Sequence, residues 1–290
     1  MNGRFGAFAA IDWSGAKGRR HKGIAVALCA PGSAAPVLVL PDAGIWSREG
    51  VARWVVAQAG REPTLFGFDF SFAPPLVERG AYLPGEAHVP STGPGFWAYV
   101  DRLCADQADL GAASLLEDHH RRHFYFGARD GVKADYMHLR RCEAHYNAGG
   151  GGKPSTVYDA IGAAQVAKAS FAGMRLLYQL YGQMPVWPFD GRVPPDVGSL
   201  IVEIYTSIAA RAAGRPKGRS KMRDGAALDA ALAEVGSQAH VPLARYDDHA
   251  TDAILTAAWL RHVHADPRLW APSDLTDLIA RTEGWTFGVV

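Results

Sequence analysis

Short apolar runs alternate with polar, glycine-containing turns at the start of the chain. Residues 5–12 and 24–30 are two such runs about one turn, which predicts a β-hairpin. A third β-rich run covers 36–41, and a fourth covers 64–70. Residues 48–59 carry apolar side chains at helical spacing, so a helix separates the last two strands. Strands mixed with helices indicate an α/β domain.

Helical spacing predominates in the second half of the chain. Residues 156–181 predict one long helix or two abutting ones, with Gly173 as a break. Residues 199–205 form a further strand, and two more helices are predicted over 226–235 and 248–264.

Residues 82–152 differ from the rest of the chain. They are rich in His, Arg, Tyr and Gly and show weak periodicity. We interpret them as an insertion or cap on a single domain that covers residues 1–290, with the glycines at 149–152 as a flexible joint.

Acidic residues end three of the predicted strands, at Asp12, Asp69 and Glu203. In open α/β sheets ligands bind beyond the carboxyl ends of strands, so these acids are expected to converge. Asp248 and Asp252 are four residues apart and share a face of the last predicted helix. Such a set requires a cation, and Mg²⁺ or Mn²⁺ fits because these hard ions take oxygen ligands. We predict a catalytic site in which Asp12, Glu203 and Asp248 or Asp252 hold the metal and Asp69 assists.

Ordinary structural roles also explain individual members of this set. Asp248 and Asp252 lie where acids cap a helix and interact favourably with its dipole. A lone acid at a strand end, such as Asp69, is common in turns. The metal hypothesis therefore depends on the set rather than on any one residue.

Basic residues stand near these acids in the sequence. Lys17 and Arg19 follow Asp12, and a basic run at 211–223 follows Glu203. Basic loops beside an acidic metal site favour a polyanionic substrate, with Ser14, Lys17 and Arg19 as its candidate contacts. A solvated loop explains the second run equally well. The formal net charge of +1 argues against a large duplex-binding surface. The predicted activity is metal-dependent phosphodiester hydrolysis, on nucleic acid or another phosphate-containing substrate.

Four short motifs resemble the domain-of-unknown-function 429 family, whose members are described as predicted nucleases of ribonuclease H fold. They are Ala-Ile-Asp-Trp-Ser-Gly at 10–15, Gly-Phe-Asp-Phe-Ser at 67–71, Val-Glu-Ile-Tyr-Thr-Ser at 202–207 and Asp-Asp-His-Ala-Thr-Asp-Ala at 247–253. The resemblance covers the chain outside the segment 82–152. It implies a ribonuclease H-like, five-stranded mixed sheet with helices on both faces.

Similarity to Holliday-junction resolvases of that fold implies particular roles for the acids. Asp12 would be the central metal ligand, completed by Glu203 on the fourth strand and by Asp248 or Asp252 on the last helix. Those resolvases act as dimers, and the sequence itself shows no interface.

Two other classes of function share parts of this pattern. Nucleotide-binding phosphotransferases and ATP hydrolases of the actin and sugar-kinase type also place an Asp on a strand before a Ser/Gly turn. They usually contain two copies of their fold, whereas this chain shows no internal repeat. A non-catalytic binding protein would keep the same acids as helix caps.

Histidines and cysteines add no recognisable motif. His119 and His123 have i, i+4 spacing, but no Cys or acid stands at a standard zinc spacing, so we interpret them as surface residues of the cap. The three cysteines are widely separated, which suits a reducing cytosol. Residues 1–10 lack the features of a secretory signal, and no apolar run approaches the roughly 20 residues of a membrane span. We expect a cytoplasmic protein.

Overall fold

The computed structural model describes residues 4–152, 154–161, 166–216 and 221–290. Their strands are β1 (Ala7–Asp12), β2 (Ala25–Cys29), β3 (Val37–Leu38), β4 (Thr64–Asp69), β5 (Val186–Trp187) and β6 (Leu200–Glu203). Their α-helices are α1 (Arg48–Ala59), α2 (Gly93–Leu103), α3 (Arg141–Ala148), α4 (Val166–Leu180), α5 (Thr206–Ala212), α6 (Gly225–Glu234), α7 (Asp248–Val263), α8 (Pro267–Trp270) and α9 (Asp277–Arg281). No helix within these ranges is long and apolar enough to cross a bilayer.

One mixed sheet of six strands organises the domain, in the order β3-β2-β1-β4-β6-β5. β2 runs antiparallel to β1 and β3, whereas β1, β4, β6 and β5 are parallel neighbours. The predicted α/β class and the hairpin are confirmed. The predicted five strands are wrong, because β5 at the sheet edge has two residues and is too short to show a period in the sequence.

Both faces of the sheet are buried, which explains why its central strands are almost continuously apolar. Ala9 and Ile11 of β1 join a core with α1, α2 and α4. Phe8 and Ala10 face the other way, into a core with α5, α6 and α7. The carboxyl ends of the parallel strands therefore open between two helical layers.

Gly173 does not break the predicted long helix. It lies inside α4 and is buried, and a Cβ there would lie 2.4 Å from the ring of Phe70. The glycine lets the helix approach the residue that follows Asp69. Residues 162–165, the preceding part of the predicted helix, lie outside the described ranges.

The segment 82–152 packs into the body of the domain. Phe96, Trp97 and Val100 of α2 belong to the same core as β1 and β4. At the predicted flexible joint, the Arg211 guanidinium donates to the carbonyl oxygens of Gly150 and Gly151. Between α2 and α3 this segment forms several short helical turns, which accounts for its weak periodicity.

Candidate active site

Two aspartates stand side by side where the central parallel strands end. The register of β1 and β4 pairs Asp12 with Asp69, and each is the last residue of its strand. Asp12 is only 8% exposed. Both residues line a cavity of about 640 Å³ at this edge of the sheet.

Helix α7 brings three further polar side chains to the same cavity. Asp247 caps the helix by accepting from the backbone N–H of Ala250. Asp248, His249 and Asp252, in the first turns, line the cavity. His249 Nδ1 lies 3.2 Å from Asp12 Oδ1.

Asp12 is buried and Asp69 and Asp252 are half-buried in this cavity, and the charge of Asp12 disfavours the ionised form of the other two. Burial raises the pKa of Asp69 well above its usual range, and the charges of Asp12 and Asp252 raise it further. Burial likewise raises the pKa of Asp252 to about 7, again with a contribution from the charge of Asp12. The pKa of Asp12 is also raised by burial, against an opposing hydrogen bond with His249. A bound cation would relieve this repulsion.

Asp248, unlike the other three aspartates of the cavity, is paired with two cationic side chains. Lys221 Nζ donates to its Oδ2, and Arg223 Nη1 lies 3.1 Å from its Oδ1. The charge of Lys221 also acts on Asp12 and Asp252. Asp252 is therefore better placed than Asp248 to join Asp12 and Asp69 around an ion.

Glu203 lines the cavity, but its carboxylate already has a full set of partners. Arg140 donates from Nη1 to Oε2 at 2.7 Å and from Nη2 to Oε1 at 2.5 Å. The backbone N–H of Phe72 and the hydroxyl of Thr286 donate to the same two oxygens. Arg140 is itself 1% exposed. This geometry makes Glu203 one half of a buried ion pair and does not support the predicted ligand role.

The three predicted substrate contacts separate in the structure. Ser14 lines the cavity of the aspartates. Lys17 instead pairs with Glu117 at 3.1 Å and lines a second cleft, while Arg19 is exposed. Neither Lys17 nor Arg19 is among the described residues that line the main cavity. We therefore expect Lys221, rather than Lys17 or Arg19, to contact a phosphate group in this cavity.

Sequence reasoning gave no role to Arg140 or His249, and it placed Lys221 only within the basic run at 211–223. His249 stands between Asp248 and Asp252 and could have been found from that position, whereas Arg140 lies in a segment with no usable pattern. Cys142 also lines the cavity, but burial raises its pKa to about 12, so it stays a neutral thiol.

The donor set fits a hard divalent ion. Asp12, Asp69 and Asp252 offer only oxygen, which Mg²⁺ and Mn²⁺ prefer over the N and S donors typical of zinc. Within the described part of the chain, the carboxylate oxygens of these three aspartates do not all lie within 4.8 Å of one another. Mg²⁺ tolerates such spacing, because it commonly keeps several waters, through which the more distant of the three carboxylates would contact it.

The raised pKa of Asp252 predicts how the free energy of unfolding of the metal-free protein depends on pH. Asp252 titrates near 7 in the folded protein but near its ordinary value of about 4 when unfolded, so the folded state binds the additional proton between these values. The free energy of unfolding should therefore fall as pH rises through this window. The loss is at most about 4 kcal/mol, since each pKa unit corresponds to about 1.4 kcal/mol.

Urea denaturation at about pH 5 and about pH 8 would measure this change. Asp252→Asn should make the dependence shallower without removing it, because the pKa values of Asp12 and Asp69 are also raised, whereas Asp42→Asn, at an exposed loop residue, should preserve it. If the unfolding free energies of wild type and Asp252→Asn changed equally with pH, the pKa of Asp252 would not be raised in the folded protein.

Comparison with protein-family models, curated proteins and solved structures found no match for this chain. The resemblance to the domain-of-unknown-function 429 family therefore stays a prediction from the four motifs. Three of these motifs, at 10–15, 67–71 and 247–253, carry the aspartates that meet in the cavity.

Proposed function

We propose that this chain is a divalent-metal-dependent phosphodiester hydrolase whose ion is held by Asp12, Asp69 and Asp252. One observation carries the proposal: three carboxylates, one buried and two half-buried, line one cavity, where the charge of Asp12 raises the pKa of the other two. Of the cations around them, Lys221 is paired with Asp248, and His249 supplies at most one charge to Asp12.

Mg²⁺ or Mn²⁺ bound there would activate water and stabilise the leaving oxygen of a phosphodiester. The residues of the chain supply the remaining functions. Lys221 Nζ, half-exposed at the cavity, is placed to contact a phosphate oxygen. The hydrogen bond with Asp12 raises the pKa of His249, which favours a protonated ring able to give a proton to the leaving oxygen.

The cavity size favours a small or flexible substrate. Its volume of about 640 Å³ lies in the range of about 300–1,000 Å³ that is typical of small-molecule sites. The near-neutral net charge supports the same choice over a rigid duplex. We therefore infer that a single strand or a small phosphodiester is the preferred substrate class.

The strand order supports a ribonuclease H-like assignment as part of this proposal. β1, β2 and β3 form an antiparallel meander, and β4 and β6 extend it as parallel strands on the other side of β1. β5 then adds an edge strand to the implied five.

A cleavage assay tests the proposal directly. Labelled single-stranded, duplex and branched DNA, single-stranded RNA and a chromogenic phosphodiester would be incubated with protein in Mg²⁺, Mn²⁺ or EDTA. Metal-dependent cleavage should fall by more than about 100-fold in Asp252→Asn, since even indirect support of a metal ligand is worth about 10–100-fold. Asp248→Asn should lose less, because Asp248 is paired with Lys221.

Asp42→Asn serves as the control for the change of charge and should cleave as wild type does. Absence of cleavage on every substrate with both metals would count against the proposal. Stabilisation by ATP in that case would favour the phosphotransferase alternative. Absence of any metal or nucleotide effect would favour a binding protein.

A further inference from the structure

A second group of metal-binding side chains lies in the segment 82–152. The ligand atoms of Glu86, His120 and His123 all lie within 4.8 Å of one another. None of the three is among the described residues that line the active-site cavity. The group is therefore a separate feature of the molecule.

The spacing of these atoms matches the coordination shell of zinc. Glu86 Oε1 lies 2.9 Å from His123 Nε2 and 3.5 Å from His120 Nδ1. Two ligands of a tetrahedral zinc, each bound at about 2.0–2.1 Å, stand about 3.4 Å apart. The observed separations lie close to this spacing, so small shifts of the side chains would bring the three ligands to bonding distance.

His120 gives an independent reason to expect a ligand here. Its side chain is 8% exposed, and its Nδ1 is buried with no hydrogen-bond partner. A buried polar atom left unpaired costs free energy, so native structures rarely keep one. Its other nitrogen, Nε2, lies 2.7 Å from the hydroxyl of Tyr99. That contact fixes the ring with Nδ1 towards Glu86, as outer partners of metal-bound histidines commonly do.

We propose that Glu86, His120 and His123 bind a divalent transition-metal ion, with zinc as the expected occupant. Two imidazoles and one carboxylate suit zinc and leave a fourth position for water or an exogenous ligand. The proposal is independent of the aspartate cavity and of its activity.

Neighbouring cationic side chains compete with the metal ion for the carboxylate of Glu86. Arg122 Nε lies 2.7 Å from Glu86 Oε1, and the side chain of Arg122 is 62% exposed. Arg79 also places positive charge near His123. Binding of the ion would displace the flexible Arg122 into solvent, so Arg122→Ala should bind zinc more tightly.

Zinc content provides the test. Full-length protein would be stripped with chelator, dialysed against Zn²⁺ and buffer, and measured by elemental analysis, with Co²⁺ absorption as a report on geometry. Wild type should retain zinc, and Glu86→Gln and His123→Ala should weaken binding by more than about 100-fold. His119→Ala is the matched control, because this exposed neighbour has the same chemistry and lies outside the group.

Circular dichroism of the stripped proteins would confirm that each variant is folded. Zinc lost by Asp252→Asn but kept by Glu86→Gln would place the ion in the aspartate cavity and overturn the proposal. Equal zinc retention by wild type, Glu86→Gln and His123→Ala would overturn it as well, and so would no retention by wild type. Loss of cleavage activity has no bearing on these readouts.

Discussion

Replacing Asp12 by asparagine is expected to abolish stabilisation by Mg²⁺ or Mn²⁺ and to lower phosphodiester hydrolysis by more than about 100-fold. The charge of Asp12 acts on both Asp69 and Asp252, so its loss removes one of the carboxylates that the proposed site shares. Wild type at a metal concentration 100 times its Kd should gain about 2.7 kcal/mol of unfolding free energy. The variant should gain almost none of it.

The same substitution should not weaken the metal-free protein. Asparagine has the shape of aspartate and removes one of the mutually repelling charges, so the melting temperature in EDTA should be equal to or higher than that of wild type. An undiminished melting temperature in EDTA, together with the loss of stabilisation by metal, would distinguish a lost ligand from a damaged fold. Thermal unfolding of both proteins with EDTA and with each metal measures it, and Asp42→Asn controls for the change of charge. A metal-induced rise of equal size in Asp12→Asn would contradict the proposed site.

Replacing Arg140 by methionine is expected to destabilise the protein by about 3–5 kcal/mol. Arg140 is buried and pairs with both Glu143 and Glu203, so its removal leaves two buried carboxylates without a paired cation. Urea denaturation at neutral pH measures the loss. Arg141→Met is the matched control, because Arg141 is 59% exposed and its ion pair with Asp274 should contribute less than about 1 kcal/mol.

A double-mutant cycle resolves the role of Glu203 further. Glu203→Gln combined with Arg140→Met should cost much less than the sum of the single changes, since the two side chains form one buried unit. Additive losses, or a mild effect of Arg140→Met alone, would mean that Glu203 is not held by Arg140. Glu203 would then return as a candidate metal ligand.

The parts of the fold that could be predicted are those whose own residues show a regular apolar pattern or a helix cap in the sequence. β1 and β2 are apolar runs about one turn, and α1 covers the predicted residues because its apolar spacing is regular and Ser47 caps it. Asp12, Asp69 and Asp252 were recognisable because acids at strand ends and helix starts converge in this architecture.

Pairings between distant segments had no such signal. Arg140 reaches Glu203 across 63 positions, and nothing around Arg140 in the sequence marks it as buried. Glu86 meets His123 across 37 positions, so a search for zinc ligands at short spacing excluded the acid that the structure supplies. The role of an ionisable side chain depends on its partners in space, which residue type and position do not specify.

The cavity is assembled from residues made at very different times during synthesis. Asp12 and Asp69 precede Asp252 by most of the chain, and Thr286, which donates to Glu203, follows later still. A chain emerging from the ribosome at about 5–20 residues per second therefore exposes the first two aspartates well before their third partner exists. The nascent protein therefore cannot hold the proposed ion in its complete shell until Asp252 has been made.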